Sequence, residues 1–286
     1  MTILMPQVVL DGLVFPEGPR WHDGKLWFSD MHALRVLSLA PDGDLTVIAE
    51  VPNRPSGLGF TPDGRLLIVS MLDHALLRMD LGQLPRFHTV ANITDFVGGA
   101  TNDMVVDAAG RAYIGNFGFD YEGGGRFATA AVVLVNPDGT ARVVADDLMF
   151  PNGAVITPDG GTYVVAETFG RRLTAFDVAQ DGSLSNRRVW AELGDATPDG
   201  ICLDAEGAIW VGSPTTQEFL RVREGGEVTD RIPTPGKWAV ACMLGGKDRK
   251  TLYLLTAETE QAELAKGKSK GFIECVRVEV PGAGLP

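Results

Sequence analysis

Cysteine is scarce in this 286-residue chain: Cys202, Cys242 and Cys275 are odd in number and widely spaced. They suit neither a disulfide framework nor a zinc site, which needs close pairs, and they fit reduced core thiols in a cytoplasm. In that compartment the Asn92-Ile93-Thr94 sequon is silent. Positive charge is also short, with 25 Lys and Arg against 37 Asp and Glu, a net charge of −12. Without a net positive field to hold a polyanion, nucleic acid and anionic membrane are excluded as main partners. No apolar run reaches the roughly 18 residues of a membrane helix. The apolar start, Met1 to Leu10, lacks the basic residues and cleavage site of a signal peptide. Glycine, by contrast, is plentiful at 35 residues, with 17 prolines besides. So many backbone breakers exclude an all-helical chain and suit a protein of hairpins.

One unit recurs along the chain: a short apolar strand, a turn rich in Asp and Gly, and a second apolar strand. The second strands are KLWFSD (25–30), RLLIVS (65–70), RAYIGN (111–116), TYVVAE (162–167), AIWVGS (208–213) and TLYLLT (251–256). The turn glycines before them, Gly24, Gly64, Gly110, Gly160, Gly207 and Gly246, are 40, 46, 50, 47 and 39 residues apart. Further hairpins follow, as in 35–50, 131–146 and 173–193. Two hairpins make a four-stranded blade, and six blades fill the chain. The sequence therefore predicts an all-β fold, a six-bladed β-propeller of four antiparallel strands per blade, in one domain spanning 1–286. The last unit is short of a strand, which QVVLDG (7–12) is expected to supply, closing the ring and removing its open edges.

The repeat also indicates a site. Eight residues before each turn glycine (seven in the first unit) stand Glu17, Ser56, Asn102, Asn152, Asp199 and Trp238. If the entering strand is innermost, these side chains converge on the axis. Two carboxylates and two carboxamides facing one another would repel and lack partners unless a hard divalent cation joined them. Absence of His and Cys from this ring disfavours zinc without excluding it.

The strings around this ring, FPEGPRW (15–21), TNDMVVDAAGRAYIGN (101–116), FPNGAVITPDG (150–160) and TPDGICLDAEGAIWVGS (197–213), carry a resemblance. The chain resembles the SMP-30/gluconolactonase/regucalcin family of six-bladed, metal-dependent lactonases. The resemblance implies Glu17, Asn152 and Asp199 as metal ligands, with Asp199 also the catalytic general base. It implies Asn102 as a residue that touches the metal through water or binds substrate beside it and, in a looser alignment, Asp120 as a substrate residue. The implied cofactor is one divalent cation, Ca2+ first, with Mg2+, Mn2+, Fe2+ and Zn2+ as alternatives. The expected activity is hydrolysis of a small-molecule lactone, either a sugar lactone or a less polar one, by a monomer or weak homo-oligomer. Two further readings stand beside it: a related propeller hydrolysing aryl esters or organophosphates, and a non-catalytic binding propeller stabilised by its metal.

One departure from the pattern matters. Regucalcin-like sugar lactonases carry an Arg two residues before the position of Asn102, where this chain has Ala100. Phe117, Phe119, Tyr121, Phe150 and Phe169 are candidates for a less polar mouth, Phe119 among them as a substrate contact, with core packing the other reading of each. His32 and His74 follow inner-hairpin strands, where solvent-facing loop positions are expected and one of them is a candidate for the mouth. Residues 117–130 read as a long glycine-centred loop, and 257–271, acidic then basic, as a solvated loop with at most a turn of helix. Gly267-Lys268-Ser269-Lys270-Gly271 matches a nucleophile elbow only as a string, without its strand–turn–helix context.

Overall fold

The computed structural model describes residues 5–80 and 86–284; residues 1–4 of the apolar N-terminal segment lie outside them. Six four-stranded antiparallel sheets form a ring. Blade one runs from Pro16–His22 through Lys25–Asp30 and Arg35–Leu39 to Leu45–Glu50, and the next four repeat this order. Blade six takes its first three strands from Trp238–Gly245, Thr251–Glu258 and Lys270–Arg277, and its outermost from Gln7–Leu13. The N-terminal strand thus closes the ring as the sequence predicts. The first strand of every blade packs on the first strands of both neighbours, so these six surround the axis.

Burial follows this order. Pro55–Phe60 and Thr101–Val106, both innermost, are buried at every residue, whereas outermost Leu45–Glu50 and Arg86–Asn92 are mostly exposed. Near-continuous apolar sequence marks strands covered on both faces, and polar sequence marks the rim.

The glycines after the axial positions have a packing reason. A Cβ on Gly18 would stand 2.6 Å from the Ser56 carbonyl oxygen, and one on Gly153 would stand 2.6 Å from the Ile201 nitrogen. Inner strands of adjacent blades approach so closely there that only hydrogen fits. The Gly153 N–H donates to the Asp199 carbonyl at 3.2 Å, and Gly200 N–H to Val240 at 2.8 Å, tying blade to blade at the axis.

A second polar ring lies one strand outward. Five second strands end on Asp30, Ser70, Asn116, Glu167 or Ser213, and in blade six Thr256 stands two residues before its strand's end; all six are fully buried. Each is hydrogen-bonded by the protein. Asp30 accepts from the backbone of Val14 and Phe15 and from Arg35. Glu167 accepts from Met149 N–H at 2.8 Å, from Arg172 and from Arg187. Asn116 accepts from Gly118 N–H and donates to the Ala131 carbonyl. Ser70 donates to Asp73, Thr256 donates to Glu274, and Ser213 accepts from Thr197 N–H. This ring fastens the loops entering the axis.

Candidate active site

Register in the first strands slips where the axial residue sits: between Glu17 and Arg20, Pro55 and Leu58, Thr101 and Met104, and Pro151 and Ala154. Such bulges free a side chain from the pleat and re-aim it. Here they belong to the blades carrying Glu17, Ser56, Asn102 and Asn152. In blade five the regular strand begins only at Ile201, just after Asp199 and Gly200.

Glu17, Asn102, Asn152, Asp199 and Trp238 meet in one cavity of about 370 Å3 at an end of the axis. The first four are each less than a tenth exposed. Ser56 does not line the cavity but is buried behind it, its hydroxyl donating to Asn102 Oδ1 at 3.3 Å. Thr168, absent from the sequence ring, orients Asn152. Its hydroxyl donates to the Pro198 carbonyl at 2.8 Å, so it accepts from Asn152 Nδ2 at 3.3 Å and leaves the carboxamide oxygen free.

Electrostatics distinguish this cluster from an ordinary core. Burial, then the neighbouring Asp103, pushes the Glu17 carboxyl well above the usual carboxylate range, against the opposing Gly18 N–H and Arg20. Asp199 is pushed up by burial, then by Glu17 and Asp103, with the Asn152 amide opposing. Its Oδ1 is buried without a hydrogen-bond partner. Arg20 is the nearby cation, but its charge is spent: it pairs with Asp103 at 3.0 Å and donates to the Pro19 and Met104 carbonyls.

The donor set fits a hard cation: two carboxylates held against their mutual repulsion, one oxygen of them orphaned, and carboxamide oxygens alongside. Among the described residues no three His, Cys, Asp or Glu side chains form such a cluster; the set is complete only when the carboxamides are counted.

Around this floor the lining includes Phe117, Tyr121, Phe150, Phe169, His32 and Glu122. Phe119 and Asp120 are not part of it. They line an adjoining cavity with His74, and Asp120 accepts from Gly123 N–H to shape its own loop. Asn116 accepting from Gly118 N–H, with Gly118 at φ +80°, turns the chain so that Tyr121 and Glu122 face the centre instead. The 257–271 segment is more than a solvated loop: its single helical turn, Gln261–Leu264, roofs the cavity, and Gln261 accepts from the Tyr121 hydroxyl at 2.9 Å. The sequence missed Asp103 and Arg20, whose adjacency to axial residues was the available signal. It also missed Thr168, which stands one step beyond the buried polar ring.

Comparison with known proteins gives this fold a family. The SMP-30/Gluconolactonase/LRE-like region matches residues 15–258. A 6-deoxy-6-sulfogluconolactonase of Pseudomonas putida is 27% identical over 98% of this chain and 96% of its own length. A pentonolactonase of Haloferax volcanii is 24% identical over 94% of this chain and 92% of its own. The crystal structure of a calcium-binding protein, regucalcin, from Agrobacterium tumefaciens superposes with a TM-score of 0.83 at 23% identity, covering 100% of this chain and 99% of that one. Six blades, the axial oxygen ring and the profile match lead to one conclusion: this chain belongs to the SMP-30/gluconolactonase/LRE-like family.

Proposed function

We propose that this protein is a metal-dependent hydrolase of small-molecule lactones. The observation that carries the reading is the buried Asp199 beside Glu17, with one carboxylate oxygen unpartnered on a floor made of oxygen donors. Family membership and relatives named as lactonases support the reaction class. Glu17, Asn152 and Asp199 would hold one divalent cation, calcium first among hard ions that suit such ligands. When bound, such an ion supplies the positive charge that keeps both carboxyls ionised and polarises the lactone carbonyl.

The chain's own residues do the rest. Asp199 is the general base and takes a proton from the attacking water. The water's hydroxyl oxygen bonds to the acyl carbon, the ring C–O bond breaks, and Asp199 returns its proton to the departing alkoxide to give the hydroxy acid. Asn102, steadied by Ser56, orients the substrate by hydrogen bonding. The aromatic lining excludes bulk water, which strengthens each polar contact on the floor. Buried free thiols at Cys202 and Cys242 support a reducing, cytoplasmic setting.

The test is chelation by EDTA, return of single divalent metals, and measurement of proton release from a lactone panel. Metal-restored turnover that Asp199→Asn abolishes is the expected result. A metal-dependent melting temperature with no turnover of any lactone would instead identify a binding propeller.

A further inference from the structure

The cavity's floor is charged, but its wall is mainly apolar, and several polar groups of that wall already have partners, though His32 Nε2 is buried without one. Thr197 and Thr215 share a hydrogen bond of 2.8 Å, and Tyr121 donates to Gln261. Among the described residues no Lys or Arg lines the cavity; its acidic lining residues are Glu17, Glu122 and Asp199. Burial and the neighbouring Arg54 push the His32 imidazole below its ordinary value, toward the neutral form. At the repeat phase of Ala100 the adjacent blade does carry a cation, Arg54, but it is bound to Glu122 at 2.5 Å and does not line the cavity. A sulfonate, phosphate or carboxylate substituent would therefore find no free cationic side chain on the wall, where Glu122 is already paired with Arg54. A polyhydroxylated ring would find His32 Nε2 open on the wall but would otherwise compete with the Thr197–Thr215 and Tyr121–Gln261 hydrogen bonds.

The aromatic faces are the available surface. Phe117 stacks on Phe150 with centroids 4.4 Å apart and planes 14° from parallel. Phe169 packs on Phe150 at 4.8 Å and is over a third exposed at the rim. Trp238 and Phe15 form an edge-to-face pair across the cavity, and Leu264 closes from above.

We infer that the substrate is an uncharged lactone bearing an alkyl or aryl substituent, its ester group on the oxygen-lined floor and its substituent against the Phe117–Phe150–Phe169 wall. This rests on the lactone hydrolase reading and narrows it. Burying each methylene of the substituent on such a wall strengthens binding severalfold.

The experiment measures kcat and KM of the calcium-loaded protein on γ-lactones with alkyl chains of increasing length, on gluconolactone, and on a carboxylate-bearing lactone. The expected result is a kcat/KM that climbs about threefold per added methylene over the first few carbons. Gluconolactone and the anionic lactone should fall at least about tenfold below the best alkyl substrate. Phe169→Ala, at the exposed rim, should flatten the dependence on chain length mainly through KM, and Phe169→Leu should restore most of it. Preference for gluconolactone, or indifference to chain length, overturns this inference while leaving a lactonase. No turnover of any lactone with any restored divalent metal overturns the underlying reading and this inference with it.

Discussion

Two polar rings run around the propeller, each set by the same repeat and each almost wholly buried, yet they differ in what the protein does with their charges. At the end of the second strands, Glu167 lies among Arg172, Arg187, Thr174 and the Met149 N–H. Burial alone would raise its pKa, but Arg172, Thr174 and the Met149 N–H outweigh burial and hold the carboxyl below its ordinary value. On the axis, Glu17 and Asp199 face burial, each other and Asp103, with Arg20 committed elsewhere. Proteins satisfy their buried structural charges. A pair left raised and partly orphaned marks a place built to receive something from outside.

This contrast can be broken most severely at Asp199. Replacing it with Asn is expected to lower metal-dependent lactone turnover by about a thousandfold or more. In chelated protein the same change relieves repulsion from Glu17, so the melting temperature should hold or rise. A steady-state assay paired with thermal melts reads both effects, and a marked fall in the chelated melting temperature would assign Asp199 to the structural class.

Glu167→Gln should do the reverse. Removing the buried carboxylate from two half-buried arginines costs about 2 kcal/mol, read as a lower urea midpoint at unchanged slope. Because the Glu167 pKa is depressed, its stabilisation is complete above the unfolded value near 4.5 and is lost as pH falls through the lower folded value. Urea titrations across that acidic window should therefore show a shallower fall for the variant than for the wild type. An equal fall would mean that Glu167 gains nothing from its arginines.

The mildest intervention is Thr168→Val, which keeps shape but removes the hydroxyl that orients Asn152. Calorimetric calcium affinity should drop about tenfold, the usual scale for losing an outer hydrogen-bond partner of a ligand. Stability of the chelated protein should change little. Unaltered affinity would show that Asn152 needs no such support.

The comparison also marks how far the sequence could be read. Blade count, strand order and ring closure were legible because the Asp-Gly turns recur at one phase and the terminal strand completes a defined shortage. Glu17, Asn102, Asn152 and Asp199 were legible as a set for the same reason. Phase alone, however, does not separate them from Asp30, Asn116 and Glu167, which repeat just as regularly. The difference lies in donors brought from distant sequence, such as Arg187 reaching Glu167. Asp120 and Phe119 were misaimed for a related reason. They lie in a loop without repeat register, whose direction is set by a side-chain bond at Asn116 and a left-handed Gly118. Opposite charges in 257–271 suggested a solvated loop; Glu263 does pair with Lys266 on the exposed side while Leu264 turns to the cavity.

The proposed difference between the rings is that the axial carboxylates bind a cation whereas the outer ones are satisfied by the fold. It is tested most directly by melting the chelated protein with and without millimolar calcium, beside Glu17→Gln and Glu167→Gln. The account predicts a rise of about 5 °C or more for the wild type and for Glu167→Gln, from ligation of the native state alone, and almost none for Glu17→Gln. An unchanged wild-type melting temperature with calcium and with every other divalent ion tried, or an equal rise in Glu17→Gln, would contradict it.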